Sequence, residues 1–303
     1  MPPPPPSGPA LALTEFVIPT AASSVHGIVP GSDGNLWFCE EGANNIGMIT
    51  LGGTIKEFSV PSPAGPREIA SGSDGNLWFT EEVGNKIGKI DKTTHVITEF
   101  MVPTAGSTPM GIAAGPDGNL WFAENTGSKI GRITTSGTIT EFAIPTGNAG
   151  PYYVAAGPDG ALWFCEQTGN KIGRITTAGA ITEFTVPTAG ASPTGIAAGS
   201  DGALWFTEYT GNKIGRITTA GAITEFAVPT MSATPKSIAA IPDGNLWFGE
   251  HDVSKLGKIT TAGAITELSL PTDSVPNGIT AGPDGNIWFV EDHSNKVGKA
   301  APQ

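Results

Sequence analysis

"GIAAGPDGNLWFAENTGSKIGRITTSGTITEFAIPT" spans Gly111 to Thr146, and the rest of the chain repeats it. "GIAAG" reads as a short strand of small residues. "PDGN" reads as a turn in which Gly118 supplies a positive φ. "NLWFAE" alternates, with Leu120, Phe122 and Glu124 on one face and Trp121 on the other. "SKIGRIT" and "ITEFAIP" are two further strands around the turn "TSGT", the last closed by Pro145. The unit is therefore four strands, A to D. The 3.6-residue apolar period of a helix is missing.

Seven tryptophans mark seven copies: Trp37, Trp78, Trp121, Trp163, Trp205, Trp247 and Trp288, spaced by 41, 43, 42, 42, 42 and 41. A period in the low forties is one four-stranded propeller blade. The chain ends on a strand C ("NKVGKAAPQ") and opens with a lone strand D ("ALTEFVIPT", Ala12 to Thr20). Joined, they complete blade seven and close the ring, which removes exposed strand edges. The expected fold is all-β: a seven-bladed β-propeller of four antiparallel strands per blade, one domain over residues 10–303. Residues 1–9, "MPPPPPSGP", read as a proline-rich linker or tail.

Composition narrows the function. The 303 residues carry a net charge of −12, so a nucleic-acid partner is not expected, and cations or cationic ligands are the better match. No apolar run is long enough for a membrane span. The chain reads as a monomer, cytoplasmic or secreted with its signal removed. Cys39 and Cys165 share one column three blades apart and read as buried thiols.

Copies within one chain can be compared column by column. A glutamate follows Trp-Phe in every blade: Glu40, Glu81, Glu124, Glu166, Glu208, Glu250 and Glu291. Six blades open strand C with lysine (Lys86, Lys129, Lys171, Lys213, Lys255, Lys296), so an ion pair between these columns is expected. Blade one has Asn45 there, leaving Glu40 unpaired beside Glu41. Where strand A begins, the column never repeats: His26, Arg67, Met110, Tyr152, Thr194, Lys236, Asn277. The next is mostly glycine, except Glu68, Tyr153 and Ser237. Both should ring the mouth of the central channel, on the face that carries the D–A and B–C loops. A charged sector from blades seven, one and two would then face Met110, Tyr152, Tyr153 and Thr194, an arrangement suited to a small molecule or peptide. The alternative is that these side chains plug the channel. His251 and His293 fall in B–C loops and read as exposed loop residues. His95 lies on the opposite face without a role.

The "GPDGNLWFTE…NKIGRIT…ITEF…PT" grammar resembles the virginiamycin B lyase (streptogramin lyase) family over about residues 11–299. The resemblance implies a propeller that opens the ester of a cyclic depsipeptide by elimination, with Mg2+ and a histidine base at the channel mouth. It places family histidines at Lys236 and Asn277, a glutamate at Val275, and a carboxylate at Glu291, which alone matches. A relocated site would use His26 and Glu291 in catalysis, with Glu40 and Glu291 toward a metal. Arg67, Glu68, Met110, Tyr152, Tyr153, Thr194, Lys236 and Asn277 would contact ligand. The readings that follow are a binding scaffold with family catalytic positions replaced, a rearranged carbon–oxygen lyase, a lactone hydrolase, and a structural interaction module.

Overall fold

A computed structural model describes residues 12–302; the proline-rich stretch at 1–9 lies outside them. Twenty-eight strands form seven four-stranded antiparallel sheets. Blade one comprises Val25–Pro30, Leu36–Glu40, Asn45–Ile49 and Ile55–Ser59. Blade seven joins Pro276–Ala281, Ile287–Glu291 and Lys296–Ala300 to Leu13–Val17, which pairs antiparallel with the last strand. The fold and its closure are those expected from the repeat. Among the described residues, no helix is long and apolar enough to cross a membrane.

The repeat residues explain the packing. Each tryptophan is essentially buried, and its indole N–H donates to the aspartate of its own A–B turn, as Trp121 does to Asp117 at 3.0 Å. In six blades the ring stacks on a strand D phenylalanine, Trp121 on Phe142 at 5.5 Å for example. A burial of that size is worth several kcal/mol per blade. The C–D turn glycine of the next blade sits over that phenylalanine: a Cβ on Gly137 would come 2.1 Å from Phe100. Blade two has His95 at this turn instead, and its ring lies 4.8 Å from Phe58 and 5.6 Å from Trp37. His95 thus has a packing role that its position alone did not show.

The expected glutamate–lysine pairing is corrected. Lys86 faces Glu81 in register, yet its ammonium binds Glu99 of strand D at 2.9 Å, and the same step recurs in the other five lysine blades. The reason is solvation. The strand D carboxylates keep contact with water, whereas the strand B glutamates are wholly buried, and an ammonium taken there would lose its hydration. The strand D glutamate also clamps the neighbouring blade: Glu141 accepts from Thr104 N at 2.8 Å and Thr104 Oγ1 at 2.9 Å. The strand B carboxyls make no such bonds, and both oxygens of Glu40, Glu81, Glu124, Glu166, Glu208 and Glu250 lack a hydrogen-bond partner among the described residues. Burial, then the like charge of Glu57, raises Glu40 to about 8. These are mostly neutral carboxyls at pH 7.

Candidate functional site at the channel mouth

The A strands of adjacent blades pack against one another around the axis. Each carries a register shift against strand B at the variable position, between Val25 and Ile28 in blade one and between Pro66 and Ile69 in blade two. Such a bulge re-aims a side chain, and here it turns the non-repeating column into the mouth. The glycines of the adjoining column are required by crowding: a Cβ on Gly111 would come 2.6 Å from Tyr152 O and from Tyr153 Cα. Blades two, four and six carry Glu68, Tyr153 and Ser237 instead. A cavity of about 160 Å³ lies below, lined by these three and by the A-strand isoleucines.

Blades seven, one and two join in one polar chain. Asn277 Nδ2 donates to Val25 O at 3.0 Å and to His26 Nδ1 at 2.6 Å. Because Val25 O is an acceptor, the amide can only present its N–H groups there. His26 Nδ1 is therefore an acceptor, and Nε2 carries the proton that it donates to Glu41 Oε2 at 2.7 Å. Burial, only partly opposed by Glu41, lowers the His26 pKa. Glu41 resists its own desolvation through His26 and Arg67 and stays below the ordinary carboxylate value. Arg67 Nη1 bridges Glu41 at 3.1 Å and Glu82 at 2.7 Å, and Nη2 donates to Tyr152 OH at 2.9 Å. Tyr153 OH donates to Glu68. The last two bonds cross the channel from blade two to blade four, so the charged and aromatic sectors are tied together and close it.

The expected site residues divide accordingly. His26, Arg67, Glu68, Tyr152, Tyr153 and Asn277 come together. Met110 is buried among the hydrophobic side chains of blades three and four, with Tyr152 packed against them. Thr194 is buried, its hydroxyl donated to Ser192 O at 2.9 Å. Lys236 is half-buried; its carbonyl accepts from Thr207 Oγ1 at 2.8 Å, but its ammonium forms no hydrogen bond or ion pair among the described residues; burial, then repulsion from Arg67, lowers it to about 8. Glu291 takes no part in the network around His26: it accepts from Ser294 at 2.5 Å, and burial raises it to about 6.

Glu41 and Glu82 belong to the charged sector expected from blades one and two, and they are the carboxylates that bind His26 and Arg67. Their column varies like that of His26, reading Asn125, Gln167 and Tyr209 in blades three to five. His251 also departs from the exposed-loop reading. It lies in a 3-10 turn, Nδ1 2.7 Å from Asp252 Oδ1, with its ring 6.3 Å from that of Tyr209. His293 is exposed as expected. Cys39 and Cys165 are free and buried, their thiols raised by desolvation.

A magnesium ion needs several anionic oxygens converging on one point. Among the described residues no three His, Cys, Asp or Glu side chains are so grouped. Glu40 and Glu291 belong to different blades, and Glu40, raised to about 8, is mostly protonated at pH 7. These residues do not fit the ion.

The chain matches the model of the virginiamycin B lyase family over residues 8–188 and 147–303. It is similar to a solved streptogramin B lyase at 42% identity and TM-score 0.92, covering 96% of this chain and 97% of that one. Virginiamycin B lyase from Staphylococcus aureus is 41% identical at TM-score 0.92, with 97% of this chain and 100% of that one covered. A catalytically inactive histidine-to-alanine variant of the latter, solved with quinupristin, matches equally well. With the ring, its closing strand and the repeat all shared, the chain belongs to the virginiamycin B lyase family.

Proposed function

We propose that this chain is a ligand-binding propeller that keeps the family ring and has lost the family's elimination. The observation that carries the reading is the Asn277–His26–Glu41 chain. It occupies both imidazole nitrogens, so His26 has no lone pair with which to take a proton from a substrate. The positions at which the family resemblance places histidines hold Lys236 and Asn277, and Val275 stands for the glutamate. Loss of one histidine inactivates the Staphylococcus relative. Lys236 supplies an uncommitted donor for the carbonyl or carboxylate of a small molecule or peptide, and the half-buried Tyr152 and Tyr209 supply ring surface on the same face.

One observation favours a second reading. An amine lowered to about 8 is a competent base just above neutral pH, so Lys236 could drive a rearranged elimination. Incubation with quinupristin at pH 7 to 9, followed by chromatography and mass spectrometry, separates the two. Elimination gives an opened isomer of unchanged mass, hydrolysis adds one water, and the binding reading expects intact macrocycle. An isomer that forms with the wild type and disappears with Lys236→Met establishes the lyase and overturns the proposal.

A further inference from the structure

The loops on the mouth face leave grooves, and the two found at six-residue loops are larger than the one found at a seven-residue loop. The D–A segments Pro103–Pro109, Pro145–Pro151, Pro187–Pro193 and Pro229–Pro235 each span seven residues, whereas Pro61–Pro66 and Pro271–Pro276 span six. The groove between blades three and four, at a seven-residue loop, measures about 150 Å³. At the two six-residue loops, a pocket of about 340 Å³ lies against blade six beside Thr272 and Asp273, and a groove of about 530 Å³ lies between blades one and two.

The 530 Å³ groove breaks the repeat twice more. Gly42 stands where the smaller groove has Thr126, and Val83 where it has Thr168. Pro61 and Pro63 wall one side, and rings of fixed φ keep that wall stiff. Val83 sits at the lip, 72% exposed, an apolar residue where the other blades are mostly polar. Glu41 is the only charged side chain in the lining. Its contacts to His26 and Arg67 both use Oε2. Oε1 accepts no hydrogen bond among the described residues and is not buried away from water.

We propose that this groove binds an organic cation, a primary or secondary ammonium on an apolar body. The N–H donates to Glu41 Oε1, and the body lies between Pro61, Pro63 and Val83. A compact carboxylate beside apolar walls favours such a ligand over a neutral one of the same shape. The acidic balance of the whole chain draws cations in the same direction. The site shares Glu41 with the His26 network through the other carboxylate oxygen, but it makes no use of Lys236 and does not require that a ligand bind there.

Isothermal titration with tryptamine and with tryptophol, which replaces the ammonium by a hydroxyl, tests it. Tryptamine should bind at least tenfold more tightly to the wild type. Glu41→Gln should abolish that difference while leaving tryptophol unchanged. Val83→Lys, an exposed change checked by an unaltered melting temperature, should weaken tryptamine at least tenfold. Equal affinities of the two probes for the wild type overturn the proposal, as does tryptamine binding unmoved by Val83→Lys. If Glu41→Gln fails to fold, the probe comparison and Val83→Lys still decide. Failure of any ligand to bind at Lys236 leaves these outcomes untouched.

Discussion

At the scale of single residues, the site is defined by which polar atoms are already committed. His26 is fully engaged and Lys236 is not. Labelling should show this. At pH 8 about half of Lys236 is uncharged, against well under about 1% of an ordinary lysine. Brief acetylation at pH 8, read by peptide mass spectrometry, should therefore modify Lys236 roughly a hundredfold faster than Lys213 or Lys296, whose pKa values are raised by their glutamate partners. Equal rates would mean that Lys236 is an ordinary solvated cation. The variable column was legible because the chain serves as its own alignment. Its partners were not legible. Arg67–Tyr152 and Glu68–Tyr153 join residues 85 positions apart, and no local period encodes a contact across the axis.

At the scale of the element, the loops that present the site are held by a residue type that the strand pattern hides. Asn170 sits at φ 54° in the B–C turn, a region asparagine tolerates better than most side chains. Its amide donates to Val186 O at 3.2 Å and Thr188 O at 2.9 Å, and accepts from Ala191 N at 2.8 Å. Asn44, Asn85 and Asn212 repeat the arrangement. Asn170→Ala should cost about 2–3 kcal/mol in urea unfolding, from lost hydrogen bonds and a strained φ. Asn170→Gly, free of the strain, should cost less, and the reverse order would show that the φ is not under strain. Strand positions were legible almost to the residue, because Trp, Gly and Pro punctuate each copy. The misplaced lysine partner shows the limit. Register aligns Lys86 with Glu81, but the choice of Glu99 depends on which carboxylate keeps its water.

At the scale of the molecule, buried acids set the response to pH. Glu40, Glu81, Glu166 and Glu208 titrate at about 8 in the fold, and Glu124 and Glu250 at about 7, all above the value near 4.3 of an unfolded glutamate. Between those limits the folded state binds more protons than the unfolded one, so stability falls as pH rises. The strand D glutamates and turn aspartates have the opposite sign. Burial opposes ionisation of Glu225, but hydrogen bonds from Lys213 and Thr188 lower it, and that contribution is lost in acid. The melting temperature should therefore peak near pH 5 and decline toward pH 8 to 9. A profile flat across pH 5 to 8 would mean that these six acids are solvated. Deleting Leu13–Val17 strips strand D from blade seven and should lower the melting temperature sharply; an unchanged melt would mean that closure does not hold the ring.

The clasp of blade seven also has a cost in time. Glu15 and Lys296, which bond across it at 2.8 Å, are 281 positions apart. On a ribosome adding about 5–20 residues per second, the first strand waits roughly 14 to 56 seconds for the strand it pairs with to be made. Throughout that interval the nascent ring is an open crescent with unpaired strand edges. A stalled chain lacking Lys296–Ala300 should be an efficient client for chaperones that shield such edges, and the completed chain should not.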